Sequence, residues 1–414
     1  MQQMITLIYG KNAKMVESIM YDKRIWKLYA FSLFIYFLQS LYAWFLWGDL
    51  FKSIVLLFCF FCCYFNRTNN REVYNGNSNK KLIIVFLFVV LFNSVIGEGF
   101  FPLARVIFQT FIFYDILCLK SIAKKGLFEY YANLFGWLSL LSIIGWILFL
   151  NGVSLPHSRL VDGVYGYIFE NYYLFLYNEH LMYPRFCCVF LEPGQYAMIA
   201  VVILHLYKFR LKSIPLIALF VSLLFTLSLA GYLIMALSLF YYYFRPKHIW
   251  KFAVIVGAVI LLFNHFRTET LGDNAINDKI IERLIITDGE MAGNNRNSED
   301  YIAYYQKFLS SDQLLLGDRG QSMKNKWNGG NAGYRVYIVT NGVLGTFFTF
   351  LVFYLLYLES KNKKGAWMLL LIEILLFLQA SVPFWFCVFS LYVFGLAYLP
   401  YKKEKRVIHA LAKA

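Results

Sequence analysis

The sequence predicts an all-α polytopic membrane protein with about twelve transmembrane helices. Hydrophobic residues make up 60% of its 414 residues and charged residues only 15%. Its mean hydropathy is +0.55, a value that the surface of a water-soluble domain does not tolerate. Lys and Arg gather in short clusters between apolar runs, the pattern typical of membrane topology signals. The net charge of +15 therefore indicates a membrane protein and not a nucleic-acid partner.

The helices can be assigned in order, because a bilayer core of about 30 Å requires about 20 helical residues, or fewer in a shielded helix. The predicted spans are 28–47, 51–65, 82–97, 102–119, 127–150, 195–207, 213–228, 230–244, 249–265, 336–357, 366–380 and 384–399. Residues 213–244 form one apolar run with basic clusters at both ends, and we divide it at Ser228-Leu229-Ala230-Gly231. A single helix would put one cluster on the wrong side, and small residues permit close helix packing.

The basic clusters give these spans a direction. Most Lys and Arg residues lie in the N-terminal tail, the C-terminal tail and alternate gaps such as 66–81 and 208–212. The positive-inside rule then predicts cytoplasmic N- and C-termini. Residues 1–265 hold nine spans, and residues 336–414 hold the last three spans and a basic cytoplasmic tail.

Two predicted outer segments are too long to be simple connections. Residues 151–193 are rich in Tyr and Phe, and residues 266–335 form a large polar loop. Apolar residues at helical spacing in 280–284 and 299–309 predict that this loop is partly helical, with a helix start at Ser298. Long loops in compact proteins are usually functional.

The most specific local pattern lies where the first outer segment enters a helix. It consists of Tyr183-Pro184-Arg185-Phe186 followed by Phe190-Leu191-Glu192-Pro193-Gly194. Pro193 suits the first helical turn and leaves Glu192 at the cap position. The unpaired N–H groups of that turn form an anion site, towards which Arg185 could point. Alternatively, Glu192 only caps its helix and Arg185 reaches the lipid headgroups.

Three arginines of the large loop form a second candidate site. Arg283, Arg296 and Arg319 carry guanidinium groups, which bind phosphate through paired donors. Alternatively, they pair with nearby carboxylates such as Glu282, Glu299 and Asp318. The sequence Gly317-Asp318-Arg319-Gly320 resembles a turn that presents its arginine, which favours a functional role for Arg319.

Other reactive residue types have ordinary explanations. Asp115 and Glu373 fall within predicted spans, where a buried ion pair and a protonated carboxyl are both possible, and Glu98 could pair with Arg105. The seven cysteines lie mostly in apolar runs without metal-ligand spacing. The sequence has no phosphate loop, dinucleotide fingerprint, paired Asp-x-Asp or His/Cys cluster. We therefore predict neither cofactor nor metal.

In this context the sequence resembles the O-antigen polymerases, which belong to the O-antigen polymerase and ligase superfamily of bacterial membrane glycosyltransferases. The resemblance covers about residues 180–360. Its motifs are Arg185-Phe186 before Phe190-Leu191-Glu192-Pro193-Gly194, then Thr226-Leu227-Ser228-Leu229-Ala230-Gly231-Tyr232, and the large loop before Asn341-Gly342-Val343-Leu344-Gly345.

The resemblance implies a metal-independent enzyme of the bacterial inner membrane that joins oligosaccharide repeats carried on undecaprenyl diphosphate at the periplasmic face. The large loop would then be periplasmic, and a chain-length regulator in the same membrane would be a partner. Arginines can stabilise a diphosphate leaving group without metal. Arg185, Arg283, Arg296 and Arg319 are the candidates for diphosphate binding. Catalytic roles are expected for Arg296, for Arg319 and for Glu192 as general base.

Two departures from the family and two rival functions bear on this hypothesis. Leu229 stands where family members often have Arg, so no role is carried over there. Asn331 stands where the sister ligases, which transfer finished glycan to lipid A core, have His, and this favours a polymerase over a ligase. A flippase or transporter of the same lipid-linked oligosaccharides is the rival from another class, but it would not require a long arginine-bearing loop.

Overall fold

In the computed structural model the chain is mostly helical. The structure describes residues 22–75, 86, 100–161, 168–178, 184–245, 261, 286–287, 290–291, 299–318, 333–379 and 386–399. The chain forms two units. The first unit comprises residues 1–134, 303–327 and 332–414, and the second comprises residues 135–302 and 328–331.

The helices within the described ranges are numbered here in chain order. They are α1 (Lys23–Ser40), α2 (Asp49–Asn69), α3 (Phe100–Cys118), α4 (Ser121–Leu150), α5 (Pro193–Leu206), α6 (Ile214–Phe225), α7 (Leu229–Tyr243), α8 (Glu299–Leu309), α9 (Gly333–Glu359), α10 (Lys363–Gln379) and α11 (Phe386–Tyr398). The strands are β1 (Ser158–Val161), β2 (Ile168–Asn171), β3 (Leu176–Asn178), β4 (Ile286–Thr287) and β5 (Glu290–Met291).

Three of these helices, α2, α4 and α9, are long and apolar enough to cross a membrane. The shorter helices α5, α6, α7 and α11 are apolar as well. These helices confirm the coarse prediction of a mostly helical chain that has apolar helices long enough to cross a membrane. The predicted spans 82–97 and 249–265 lie almost entirely outside the described residues.

The strands correct the prediction of an all-α fold. β1, β2 and β3 form an antiparallel sheet within the aromatic segment 151–193, in the order β1-β2-β3. Each strand has only three or four residues. A run that short does not display the alternation of apolar and polar residues from which a strand is predicted.

The first helix differs in its bounds from the predicted span 28–47. It begins at Lys23, because the Asp22 side chain accepts hydrogen bonds from the backbone N–H of Arg24 (2.8 Å) and Ile25 (3.1 Å). It ends at Ser40, since the chain turns at Tyr42, whose φ is 55°. Leu41 and Ala43 in this turn are fully buried, so the apolar pattern continues where the helix has stopped.

A buried polar network connects α1, α2 and α3 in the first unit. Asp115 Oδ2 accepts hydrogen bonds from the hydroxyls of Tyr29 (2.7 Å) and Tyr74 (3.2 Å). Arg67 Nη1 lies 3.6 Å from Asp115 Oδ1. Arg67 is therefore placed as the ion-pair partner of Asp115, the first of the two explanations offered for this residue. Glu373 in α10 is also buried, and its Oε1 has no hydrogen-bond partner among the described residues.

The second unit confirms the predicted break within 213–244. Helix α6 ends at Phe225, Leu227 adopts a positive φ of 47°, and Ser228 Oγ accepts a hydrogen bond from the Gly231 N–H (3.4 Å) to begin α7. A Cβ atom added at Gly231 would lie 3.0 Å from the Ala197 Cβ of α5. The small residue therefore allows α7 to approach α5 closely, as the sequence predicted.

Helix α9 contains a sharp kink at Gly342, in the first unit. Gly342 has φ 69° and ψ 179°, a backbone conformation that is essentially restricted to glycine. The chain that follows α8 docks against this kink. The N–H of Asp318 donates to Val339 O (2.8 Å), and the N–H of Leu344 donates to Leu315 O (3.2 Å). A segment of the predicted large loop is thereby fixed to α9.

Candidate functional site

Glu192 occupies the helix cap that the sequence predicted. Its backbone is extended (φ −131°, ψ 141°), and Pro193 follows as the first residue of α5. The Glu192 N–H donates to Oε1 of Gln195 (3.3 Å), which satisfies one backbone donor at the helix start. The Glu192 side chain in turn lies against the backbone of Gln195, so both halves of the capping box are present.

The Glu192 side chain is the only exposed one between Phe186 and Leu206, a range that the structure describes in full. The residues on both sides of it, Leu191 and Pro193, are buried. Burial of this segment fixes the backbone around a single accessible carboxylate. An accessible carboxylate on a fixed backbone can accept a proton from a bound hydroxyl group.

Arg185 lies against the turn between α6 and α7. Its Nε donates to Thr226 O and its Nη2 to Leu227 O, each at 3.0 Å. The neighbouring N–H of Phe186 donates to Phe225 O (3.0 Å). A guanidinium group at the C-terminal end of α6 is favourable, because the carbonyls there carry partial negative charge. Arg185 therefore joins two of the sequence motifs structurally, and its role in diphosphate binding stays a prediction.

The sheet carries polar and aromatic side chains on one face. In the strand register Arg159 lies opposite Glu170, and Glu170 lies opposite Tyr177. Directly opposite residues project from the same face of a sheet. The Tyr172 hydroxyl donates to Glu170 Oε2 (2.7 Å), and the Tyr172 ring centroid lies 5.1 Å from that of His157. Aromatic rings beside a carboxylate and a guanidinium group can bind sugar rings and their hydroxyls.

The other face of the sheet anchors it to the segment that precedes Glu192. Phe169, Asn171 and Leu176 are buried. The N–H of Leu176 donates to Cys188 O (2.9 Å), and the Cys187 thiol donates to Leu176 O (3.0 Å). The sheet is therefore held by residues only a few positions before the accessible carboxylate. Sequence reasoning noted the aromatic residues here but missed the sheet that arranges them.

Of the second candidate site, the structure describes only the residues next to its arginines. Arg283, Arg296 and Arg319 lie outside the described residues, as does the predicted helix at 280–284. The predicted helix at Glu299–Leu309 is confirmed as α8. Asp318, which precedes Arg319, is buried, and its Oδ2 accepts a hydrogen bond from the Tyr304 hydroxyl (3.3 Å).

Gly317 allows the segment that follows α8 to dock against α9, because a Cβ atom at Gly317 would lie 2.4 Å from Thr340 O. Together, Gly317 and Asp318 hold the start of the predicted arginine turn against α9.

Among the described residues, no group of three or more His, Cys, Asp or Glu side chains is placed to hold a metal ion. The described charged groups near Glu192 and on the three-stranded sheet are single carboxylates and guanidinium groups. Comparison of the chain with models of known protein families, with curated proteins and with solved structures gave no match.

Proposed function

We propose that this protein polymerises a bacterial surface polysaccharide, joining oligosaccharide repeats carried on undecaprenyl diphosphate at the periplasmic face of the inner membrane. The observation that carries this proposal is the accessible Glu192 carboxylate on an otherwise buried segment. The aromatic and charged face of the sheet, held against that same segment, supports a saccharide as the ligand.

The proposed topology follows from the charge pattern. Twelve spans with both termini in the cytoplasm put the start of α5, the sheet and the large loop 266–335 on the periplasmic side. The helix start and the sheet would then lie at the level of the lipid headgroups, where the diphosphate of a lipid-linked sugar also lies. This arrangement supports a reaction between two lipid-linked molecules at the membrane surface.

The proposed reaction is a glycosyl transfer. A hydroxyl oxygen at the non-reducing end of one repeat attacks the anomeric carbon of the growing glycan on a second carrier. The bond between that carbon and the diphosphate oxygen breaks, and undecaprenyl diphosphate leaves with the bonding electrons. Glu192 accepts the hydroxyl proton. Arg283, Arg296 and Arg319 stabilise the charge that develops on the diphosphate.

Arg185 acts indirectly in this mechanism. Because its guanidinium group holds the α6–α7 turn to the segment that leads to Glu192, it positions the general base. This positioning role stands beside the predicted diphosphate binding by Arg185. Substitution of Arg185 would therefore slow the reaction by displacing the Glu192 carboxylate.

The test is the surface glycan of a deletion strain complemented with variants of this chain. Polymerase function predicts that the deletion leaves lipid A core capped by one repeat. Bare core with retained lipid-linked polymer would identify a ligase, and bare core without that polymer would identify a flippase. Either result would refute the proposal.

The proposed roles are tested in the same strain at matched protein level. Glu192→Gln and Arg296→Ala or Arg319→Ala should each abolish the long-chain ladder. Glu359→Gln is the control, since it alters an exposed glutamate at the far end of α9, and it should leave the ladder intact. A normal ladder with Glu192→Gln would return Glu192 to a capping role, and a normal ladder with both arginine variants would refute the diphosphate site.

A further inference from the structure

We propose that Arg335, held between Tyr305 and Tyr334 at the start of α9, binds an oxyanion of the phosphate or diphosphate class. All three residues belong to the first unit. Arg335 is the last residue of the predicted large loop 266–335, and no role was predicted for it. The proposal does not depend on the polymerase function, because it is argued from the geometry of this side chain alone.

The two tyrosines hold the guanidinium group in a defined position. Arg335 Cζ lies 5.2 Å from the Tyr305 ring centroid and 5.7 Å from the Tyr334 ring centroid. The Arg335 Nε also donates a hydrogen bond to the Tyr334 hydroxyl (3.0 Å). A cation within about 6 Å of an aromatic ring is attracted by it. The planar donor fork is therefore oriented before any ligand arrives.

One end of this fork lacks a partner. Arg335 Nη1 is shielded from solvent and makes no hydrogen bond, and no carboxylate of the described residues forms an ion pair with Arg335. Arg67 Nη1 likewise makes no hydrogen bond, but it differs in that the Asp115 carboxylate lies 3.6 Å from it. A shielded charged donor without an acceptor is costly. Where a native structure keeps one, a bound ion or water is the expected explanation.

The surroundings favour an anion as that partner. α9 begins two residues earlier at Gly333, and it has no acidic residue in its first turn. The unpaired N–H groups of a helix start favour negative charge. Burial raises the pKa of Tyr305 above its ordinary value, so its phenol stays neutral at physiological pH and supplies no counter-charge. The Asp318 carboxylate accepts a hydrogen bond from the Tyr304 hydroxyl and forms no ion pair with Arg335.

Two kinds of molecule at a membrane surface carry an oxyanion of the phosphate or diphosphate class. One is the diphosphate of a polyprenyl-linked saccharide, and the other is the phosphate of an anionic lipid headgroup. A planar guanidinium fork can contact two oxygens of either group at once. The chemistry is shared, so the two sources are distinguished by the choice of probe.

The experiment measures binding to the purified full chain in detergent and in vesicles. The probes are inorganic pyrophosphate, farnesyl diphosphate, and vesicles of phosphatidylglycerol or phosphatidylcholine. Arg335→Gln should weaken pyrophosphate and farnesyl diphosphate binding by about tenfold or more, as expected for a charge-assisted hydrogen bond. Lys307→Gln is the control because Lys307 is an exposed cation on α8, and it should change the affinity by less than about twofold.

Each outcome bears on the proposal. Loss of diphosphate binding supports a substrate site, and loss of the preference for phosphatidylglycerol with unchanged pyrophosphate affinity supports a lipid headgroup site. Equal affinity of the wild type and Arg335→Gln for every anionic probe would overturn the proposal. Arg335→Lys keeps the charge but loses the planar fork, so it serves if the glutamine variant does not fold. It should bind the anionic probe that depends on Arg335 several-fold more weakly, and unchanged binding of every anionic probe would equally overturn the proposal.

None of these measurements involves glycan synthesis. A failed anion site and a failed polymerase function are therefore distinguishable.

Discussion

The kink in α9 makes Gly342→Ala the most informative single substitution. A Cβ atom at Gly342 would lie 2.2 Å from Leu315 O and 2.6 Å from the Gly317 N. An ordinary contact between carbon and oxygen is about 3.3–3.6 Å. The backbone of the docked segment would therefore have to move away by more than about 1 Å. We expect this movement to undock residues 312–318 from α9.

The magnitude follows from the interactions that would be lost. An L-residue in the glycine-only region that Gly342 occupies (φ 69°, ψ 179°) costs about 2 kcal/mol. The hydrogen bonds from Asp318 N to Val339 O and from Leu344 N to Leu315 O contribute about 1 kcal/mol each. The free energy that holds the segment on α9 should therefore fall by about 3–4 kcal/mol. This change corresponds to an increase of at least about 100-fold in the fraction of molecules in which residues 312–318 are undocked from α9.

Hydrogen–deuterium exchange of the detergent-solubilised protein measures that population. Peptides that cover residues 312–318 should exchange at least about 100-fold faster in Gly342→Ala than in the wild type. Gly152→Ala is the control, because Gly152 also has a positive φ of 76° but a Cβ atom there would meet nothing within 4 Å. It should leave exchange in 312–318 unchanged. A change below about threefold in Gly342→Ala would refute the docking of this segment.

Two further substitutions test contacts within the helical units. Arg185→Lys should lower the thermal midpoint and destabilise the protein by about 1–3 kcal/mol, because one ammonium group cannot reproduce the two hydrogen bonds to Thr226 O and Leu227 O. Arg210→Lys, at an exposed position, is the control. Equal thermal midpoints in the two variants would contradict the role of Arg185 as an anchor of the α6–α7 turn. Asp115→Ala should destabilise the protein by about 1–3 kcal/mol, because it removes the acceptor of the Tyr29 and Tyr74 hydroxyls and leaves Arg67, which is partly exposed, without its anion. Additivity with Arg67→Ala in a double-mutant cycle would show that Asp115 and Arg67 do not interact.

The sequence by itself determined the class of the protein and much of its local structure. Composition and apolar runs predicted a mostly helical membrane protein, because burial in lipid requires long apolar segments whose backbone groups are satisfied internally. The cap at Glu192, the break before Ser228 and the helix at Glu299–Leu309 were also predictable. Each of these depends on interactions between residues only a few positions apart.

The tertiary structure decided the features that depend on distant residues. The partner of Arg185 is a turn about 40 positions later, and the docking of Gly317 on α9 requires a kink at Gly342. The sheet that arranges Glu170 is formed by strands too short to show a pattern. The contact between Arg335 of α9 and Tyr305 of α8 joins residues 30 positions apart. Sequence patterns report which side chains are apolar or charged, whereas the choice of partner is made by packing between segments far apart in the chain.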